Sequence, residues 1–82
     1  MENKIDAIIK MIDSVLEDTS VPKNIRKAMN NAKIRLSGSE EIIVKVSAAI
    51  YLIEPISEDV NMPSHARTQI WAIMGALESI KH

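Results

Sequence analysis

Cysteine and phenylalanine are absent from this 82-residue chain, and its aromatic residues amount to one Trp and one Tyr. Without cysteine there can be no disulfide and no thiolate metal site, so packing alone must hold the fold. Without phenylalanine the core must be aliphatic, built from fourteen Ile, five Met and their Leu and Val neighbours, with Trp71 as the single large anchor. Glycine occurs twice, at Gly38 and Gly75, far apart. That excludes a glycine-rich loop gripping a phosphate. No apolar run approaches the ~18 residues of a membrane span. The first residues, Met1-Glu2-Asn3-Lys4-Ile5-Asp6, lack a basic stretch followed by an apolar one, so a cytoplasmic address is expected. A net charge of −1 offers no global attraction to nucleic acid or anionic lipid. The hydrophobic share of 46% is ordinary for a folded domain, and residues 1–82 are read as one.

What the chain does contain is a repeat. Glu17-Asp18-Thr19-Ser20-Val21-Pro22 before Arg26 returns as Glu58-Asp59-Val60-Asn61-Met62-Pro63 before Arg67, offset by 41 residues. Periods near 40–47 residues belong to arrays of paired helices. Ile5, Ile8, Ile9, Ile12, Val15 and Leu16 recur at helical spacing and predict a first helix over about Asn3–Glu17. Pro22 breaks that pattern and suits the start of a second helix reaching about Leu36. Ser37-Gly38-Ser39 predicts a stop and a start, with Gly38 left-handed after the second helix and Ser39 capping the third ahead of Glu40 and Glu41. The third helix, about Glu40–Glu54, is apolar nearly all round, and Pro55 either ends it or bends it towards Ile56. A fourth runs from Ser64 to about Ile80, and Gly75 inside it costs ~1 kcal/mol against alanine, which suggests close approach by another backbone. The expected fold is all-α, a four-helix bundle-like unit made of two similar hairpins (residues 1–38 and 39–82) with a loose likeness to HEAT-type repeats.

Three constellations merit a functional reading. Glu17, Asp18, Glu58 and Asp59 sit at the negative ends of their helices while Arg26 and Arg67 sit at positive starts, placements that oppose the helix dipole. Structural ion pairs among these six residues would offset both penalties. Lys23, Arg26, Lys27, Lys33 and Arg35 give residues 22–37 a local charge of +5, a basic surface for nucleic-acid phosphates or simply a complement to acidic neighbours. Helices three and four carry more apolar surface than one small core can absorb. Ile70, Trp71, Met74 and Gly75 are therefore the candidate interface, as a homodimer seam or a groove for a partner helix.

Catalysis finds no support in the residue pattern. Adjacent carboxylates such as Glu17 and Asp18 point in different directions. His65 and His82 are the only histidines and form no ligand spacing, so no metal, cofactor or small-molecule site is expected. Ser14, Ser37, Ser47 and Ser57 have no histidine near them in sequence. A pocket gathering Asp59, His65 and Arg67 would reopen the question.

At Val21-Pro22-Lys23-Asn24-Ile25-Arg26-Lys27-Ala28 and Asn61-Met62-Pro63-Ser64-His65-Ala66-Arg67-Thr68-Gln69-Ile70-Trp71 the chain resembles a small archaeal family known as uncharacterised protein family 0147. The resemblance covers most of the chain; Val60 departs from it, where the family's turn expects proline. It implies a small, soluble, all-helical cytoplasmic protein of archaea and carries no activity, cofactor or site to transfer. The combined expectation is a non-enzymatic interaction or assembly module, dimeric through helices three and four, with RNA or ribonucleoprotein binding by the second helix as the alternative.

Overall fold

A computed structural model describes residues 3–81. Four helices follow one another: α1 over Lys4–Leu16, α2 over Lys23–Leu36, α3 over Ile42–Ile53 and α4 over Ser64–Lys81, with a 3-10 turn at Glu54–Ile56 after α3. No strand occurs among the described residues. Asn3 caps α1, its side chain accepting the Asp6 N–H at 2.9 Å, and Asp6 itself suits the positive helix start. Pro22 enters α2 in an extended conformation, and its carbonyl accepts the N–H groups of Ile25 and Arg26 at 3.1 and 3.0 Å. Pro63 repeats the second of these bonds, with Arg67 N–H at 3.0 Å.

Two local expectations fail. Gly38 is not left-handed, for no residue has positive φ among those described. Ser37 caps α2 instead, in right-handed geometry with its hydroxyl donating to the Lys33 carbonyl at 2.9 Å. Gly38 serves close approach: a Cβ there would stand 3.3 Å from the Arg35 carbonyl oxygen. Nor does Ser39 cap α3, which begins at Ile42 behind Glu41 without any side-chain cap. Pro55 ends the α-helix rather than bending it. Lacking an N–H for the ladder, it leaves the chain to tighten into the 3-10 turn, where the buried Ser57 closes it through N–H bonds to Ile53 and Glu54 carbonyls at 3.1 and 3.3 Å.

Each helix packs on its neighbours in sequence, and α4 closes the ring on α1; the diagonals α1–α3 and α2–α4 barely touch. A solenoid would lay like helix on like. The packing is therefore the bundle side of the expectation and not HEAT-type stacking. The repeat nevertheless governs the core. Buried Ile5, Ile8, Ile12, Val21, Ile25, Met29, Ala32 and Leu36 correspond at the same offset to buried Val46, Ala49, Ile53, Met62, Ala66, Ile70, Ile73 and Leu77. Each fully buried Ile, Leu or Met side chain contributes roughly 1.5–3 kcal/mol.

Candidate interaction surface

The exposed apolar residues behave in the opposite way: they break the repeat. Tyr51 is 79% exposed where the first half has Lys10, Val60 is 85% exposed opposite Thr19, and Trp71 is 57% exposed opposite Asn30. Val44, in the first turn of α3, replaces Asn3 and is exposed as well. Duplication accounts for the core, so it cannot account for these side chains. Isolated apolar residues on a surface are normal. Ile34 of α2, 60% exposed opposite Gly75, departs from the repeat in the first half, whereas Tyr51, Val60 and Trp71 each stand where the first half carries a polar residue, and such replacements ask for a contact outside the core.

The four candidate interface residues separate cleanly. Ile70 is a correction, since it lies wholly inside the core and presents nothing outward. Met74 is half-buried against that core. Trp71 and Gly75 are both exposed, one turn apart on α4. No neighbouring backbone approaches Gly75: a Cβ there would meet nothing within 4 Å.

The basic face of α2 is partly neutralised at home. Lys33 pairs with Asp13 of α1 at 2.6 Å, and Arg35 with Glu40 at 3.0 Å. Lys23 and Lys27 lie exposed, one turn apart. Both ion pairs reach acids beside the helix, as the structural reading of this charge anticipates.

Arg26 and Arg67 do not make the ion pairs anticipated for them with Glu17, Asp18, Glu58 and Asp59. The ion pairs include Lys33–Asp13, Arg35–Glu40 and His65–Asp18. Each arginine instead turns back onto the chain ahead of its own helix. Arg26 Nε donates to the Val21 carbonyl at 3.0 Å, and an Arg67 terminal nitrogen to the Asp59 carbonyl at 3.2 Å. A carbonyl dipole, not a carboxylate, thus offsets the unfavourable helix-start position. The Asp residues fold their own turns, Asp18 accepting the Ser20 N–H at 2.9 Å and Asp59 the Asn61 N–H at 2.8 Å.

One cluster escaped the sequence reading. His65, at the start of α4, places Nε2 2.6 Å from Asp18 Oδ2 in the first turn, while the Ser20 hydroxyl donates to Asp18 Oδ1 at 2.5 Å and stands 3.4 Å from the same ring nitrogen. Ser20 stands 45 residues from His65 in sequence, so local spacing gives no sign of the contact. The 41-residue offset held the only available signal: it sets His65 in the place of Asn24, beside the turn that follows α1. This is not a relay. In a nucleophilic triad the imidazole bridges acid and hydroxyl through different nitrogens. Here both crowd one nitrogen, and the hydroxyl proton goes to the carboxylate. The arrangement is a latch between the two halves. Asp59, His65 and Arg67 line neither of the grooves described below, and His65 is held by Asp18.

The Ser20 hydroxyl, then His65 and the Ser20 N–H, lower the Asp18 carboxyl from 3.8 to about 2. A carboxyl depressed in the folded state stabilises above its unfolded value, and that contribution disappears as pH falls through the folded one. Comparing Asp18→Asn with wild type, the gap in melting temperature is expected to be full above about pH 4 and to close towards about pH 2. Thermal melts across that range check it, and a gap constant down to pH 2 refutes the latch.

Two shallow grooves run between α1 and α4, of about 460 and 260 Å³, sharing Met11 and edged by small residues including Ala72 and Ala76. No group of three or more potential metal ligands occurs among the described residues. No described helix is long and apolar enough to cross a membrane.

Residues 1–80 match the model of the family described as Uncharacterised protein family (UPF0147). The chain is 44% identical over 81 residues to the UPF0147 protein of Methanocaldococcus jannaschii, covering 98% of this chain and 87% of that one. It is 47% identical over 83 residues to the UPF0147 protein of Pyrococcus horikoshii, covering 99% and 89%. Among solved structures it is similar to the unknown-function protein MMP1188, with TM-score 0.88, 49% identity, and 96% and 91% of the two chains covered. A UPF0147 family structure from Thermoplasma acidophilum also superposes with TM-score 0.88, at 28% identity over 95% and 93% of the chains.

Proposed function

Because the chain belongs to the UPF0147 family, whose description names no activity, we propose from its own surface that it acts as a non-enzymatic interaction or assembly module. One observation carries the reading: apolar side chains of the second half that depart from the repeat, Tyr51, Val60 and Trp71, stand outside the core. An exposed Trp amid small residues is the usual composition of an anchoring contact. The Asp18–Ser20–His65 latch, which places carboxylate and hydroxyl together at the His65 Nε2, fits a structural role better than a chemical one.

The alternative, RNA or ribonucleoprotein binding through α2, has less behind it. Two of its five cations are matched by acids, leaving Lys23 and Lys27 as the outward pair on a helix with no aromatic to stack on bases. Capture from an archaeal extract, with and without nuclease, separates the two. The expected result is a co-purifying protein that survives nuclease and is lost with Trp71→Ala. Loss on nuclease treatment, with Trp71→Ala behaving as wild type, transfers the assignment to α2.

A further inference from the structure

We infer that two copies of this chain pair through α4, the helices antiparallel, with Trp71 of each copy seated over Gly75 of the partner subunit. The inference rests on the contact role assigned to this face and names its occupant.

Gly75 supplies the first argument. Glycine is among the poorest residues for a helix interior, and it persists where a left-handed conformation or a close neighbour requires it. Neither applies within this chain: Gly75 lacks positive φ, and a Cβ at that position would meet open space. The requirement therefore lies outside the chain. A bulky group brought against the helix at this height needs the missing side chain.

Trp71 supplies such a group. It lies four residues before Gly75, about 6 Å along the axis, and is 57% exposed on the same helix. A twofold axis passing between them carries the protruding indole onto the vacant site and the vacant site onto the indole. One operation satisfies both, as a closed twofold interface demands. A different partner would have to supply an indole-sized projection and a matching hollow at this same spacing.

Charge selects the direction. No charged residue lies between Arg67 and Glu78. In the antiparallel arrangement Glu78 falls opposite Thr68 of the partner subunit, next to Arg67 of the partner subunit, and the helix dipoles oppose. Lys81 comes opposite His65 of the partner subunit, in each copy already held by Asp18. A parallel arrangement would set Arg67 on Arg67 and Glu78 on Glu78. With a net charge of −1 per chain, little long-range repulsion resists the pairing.

Sedimentation velocity from about 1 to about 100 μM tests this, the span in which moderate self-association is visible. Wild type is expected to form a dimer, and Trp71→Ala and Gly75→Ala each to weaken it by ~10-fold or more, while Lys27→Ala matches wild type. Gly75→Ala keeps its fold, because alanine favours helix and its site is open; circular dichroism verifies that. A wild type that stays monomeric overturns the inference, and so does a dimer indifferent to Gly75→Ala. If a monomeric wild type still captures a different protein through Trp71, self-pairing falls and the interaction role stands. If Trp71-dependent capture is missing too, both fall.

Discussion

Ile70→Ala is expected to cost about 2–5 kcal/mol, while Trp71→Ala, one residue further along the same helix, leaves the stability of the folded chain within about 1 kcal/mol. Ile70 is fully buried, opposite its repeat partner Met29 in the pattern, and its truncation removes transfer free energy and leaves a void that a close-packed interior closes only in part. Trp71 is more than half exposed, so most of its ring is solvated already. A chain of this size has a total stability of roughly 4–12 kcal/mol, which makes the Ile70 effect a large share of the whole. For a domain this small each kcal/mol shifts the melting temperature by about 4–8 °C, so Ile70→Ala should fall by more than ~10 °C. Melts should be recorded at dilutions where self-association is negligible, because dissociation of a dimer would otherwise add to the Trp71 result. Equal losses for the two variants would mean that the register of α4 against the core is wrong.

Arg26→Ala should be the most costly of the charged-residue substitutions, by about 1–3 kcal/mol, followed by Arg67→Ala at about 1 kcal/mol, with Lys27→Ala within about 0.5 kcal/mol of wild type. A hydrogen bond from a charged donor to a partly buried carbonyl is worth more than an exposed ion pair, since less of it is replaced by water. The Arg26 bond is the shorter, 3.0 against 3.2 Å, and Arg67 also leaves its Nε buried with no partner, a cost that truncation relieves. Lys27 projects from the exposed side of α2. Urea midpoints at unchanged m-value read these differences directly. Should Lys27→Ala prove as damaging as Arg26→Ala, arginine closure of the turns contributes nothing.

The two experiments address different layers of the molecule. Core truncation asks whether the repeat sets burial, which it does at eight pairs from Ile5 and Val46 to Leu36 and Leu77, while buried Val15 and Ile50 have half-buried counterparts in Ile56 and Ile9. Arginine truncation asks how the turns between helices close. The turns repeat less faithfully: Arg26 reaches the residue just ahead of Pro22, whereas Arg67 reaches four residues ahead of Pro63. Val60 and Met62 stand where the first turn has Thr19 and Val21, so a different loop shape in the second half is no surprise.

Helix positions and core membership were readable from the chain itself. Ile5, Ile8, Ile12 and Val15 recur at the spacing of one helix face, and burial of such a stripe is a local consequence of 3.6-residue geometry. The duplicated Asp-to-Pro turns located the breaks between α1 and α2 and between α3 and α4 by the same short-range logic. In α3 this logic weakened, because a helix apolar on every side gives periodicity nothing to choose between. Only packing revealed that Val46, Ala49, Ile50 and Ile53 turn inward while Tyr51 faces water. Ile70 was misassigned for that reason too: an apolar residue beside an exposed Trp looks the same in one dimension whether it faces core or solvent. Ring closure of α4 on α1 and the meeting of Asp18 with His65 across 47 residues are properties of how rods cross in space. Spacing along a polymer specifies which face of a rod avoids water, but which rods touch, and what their ends hold, depends on distances that no linear pattern contains.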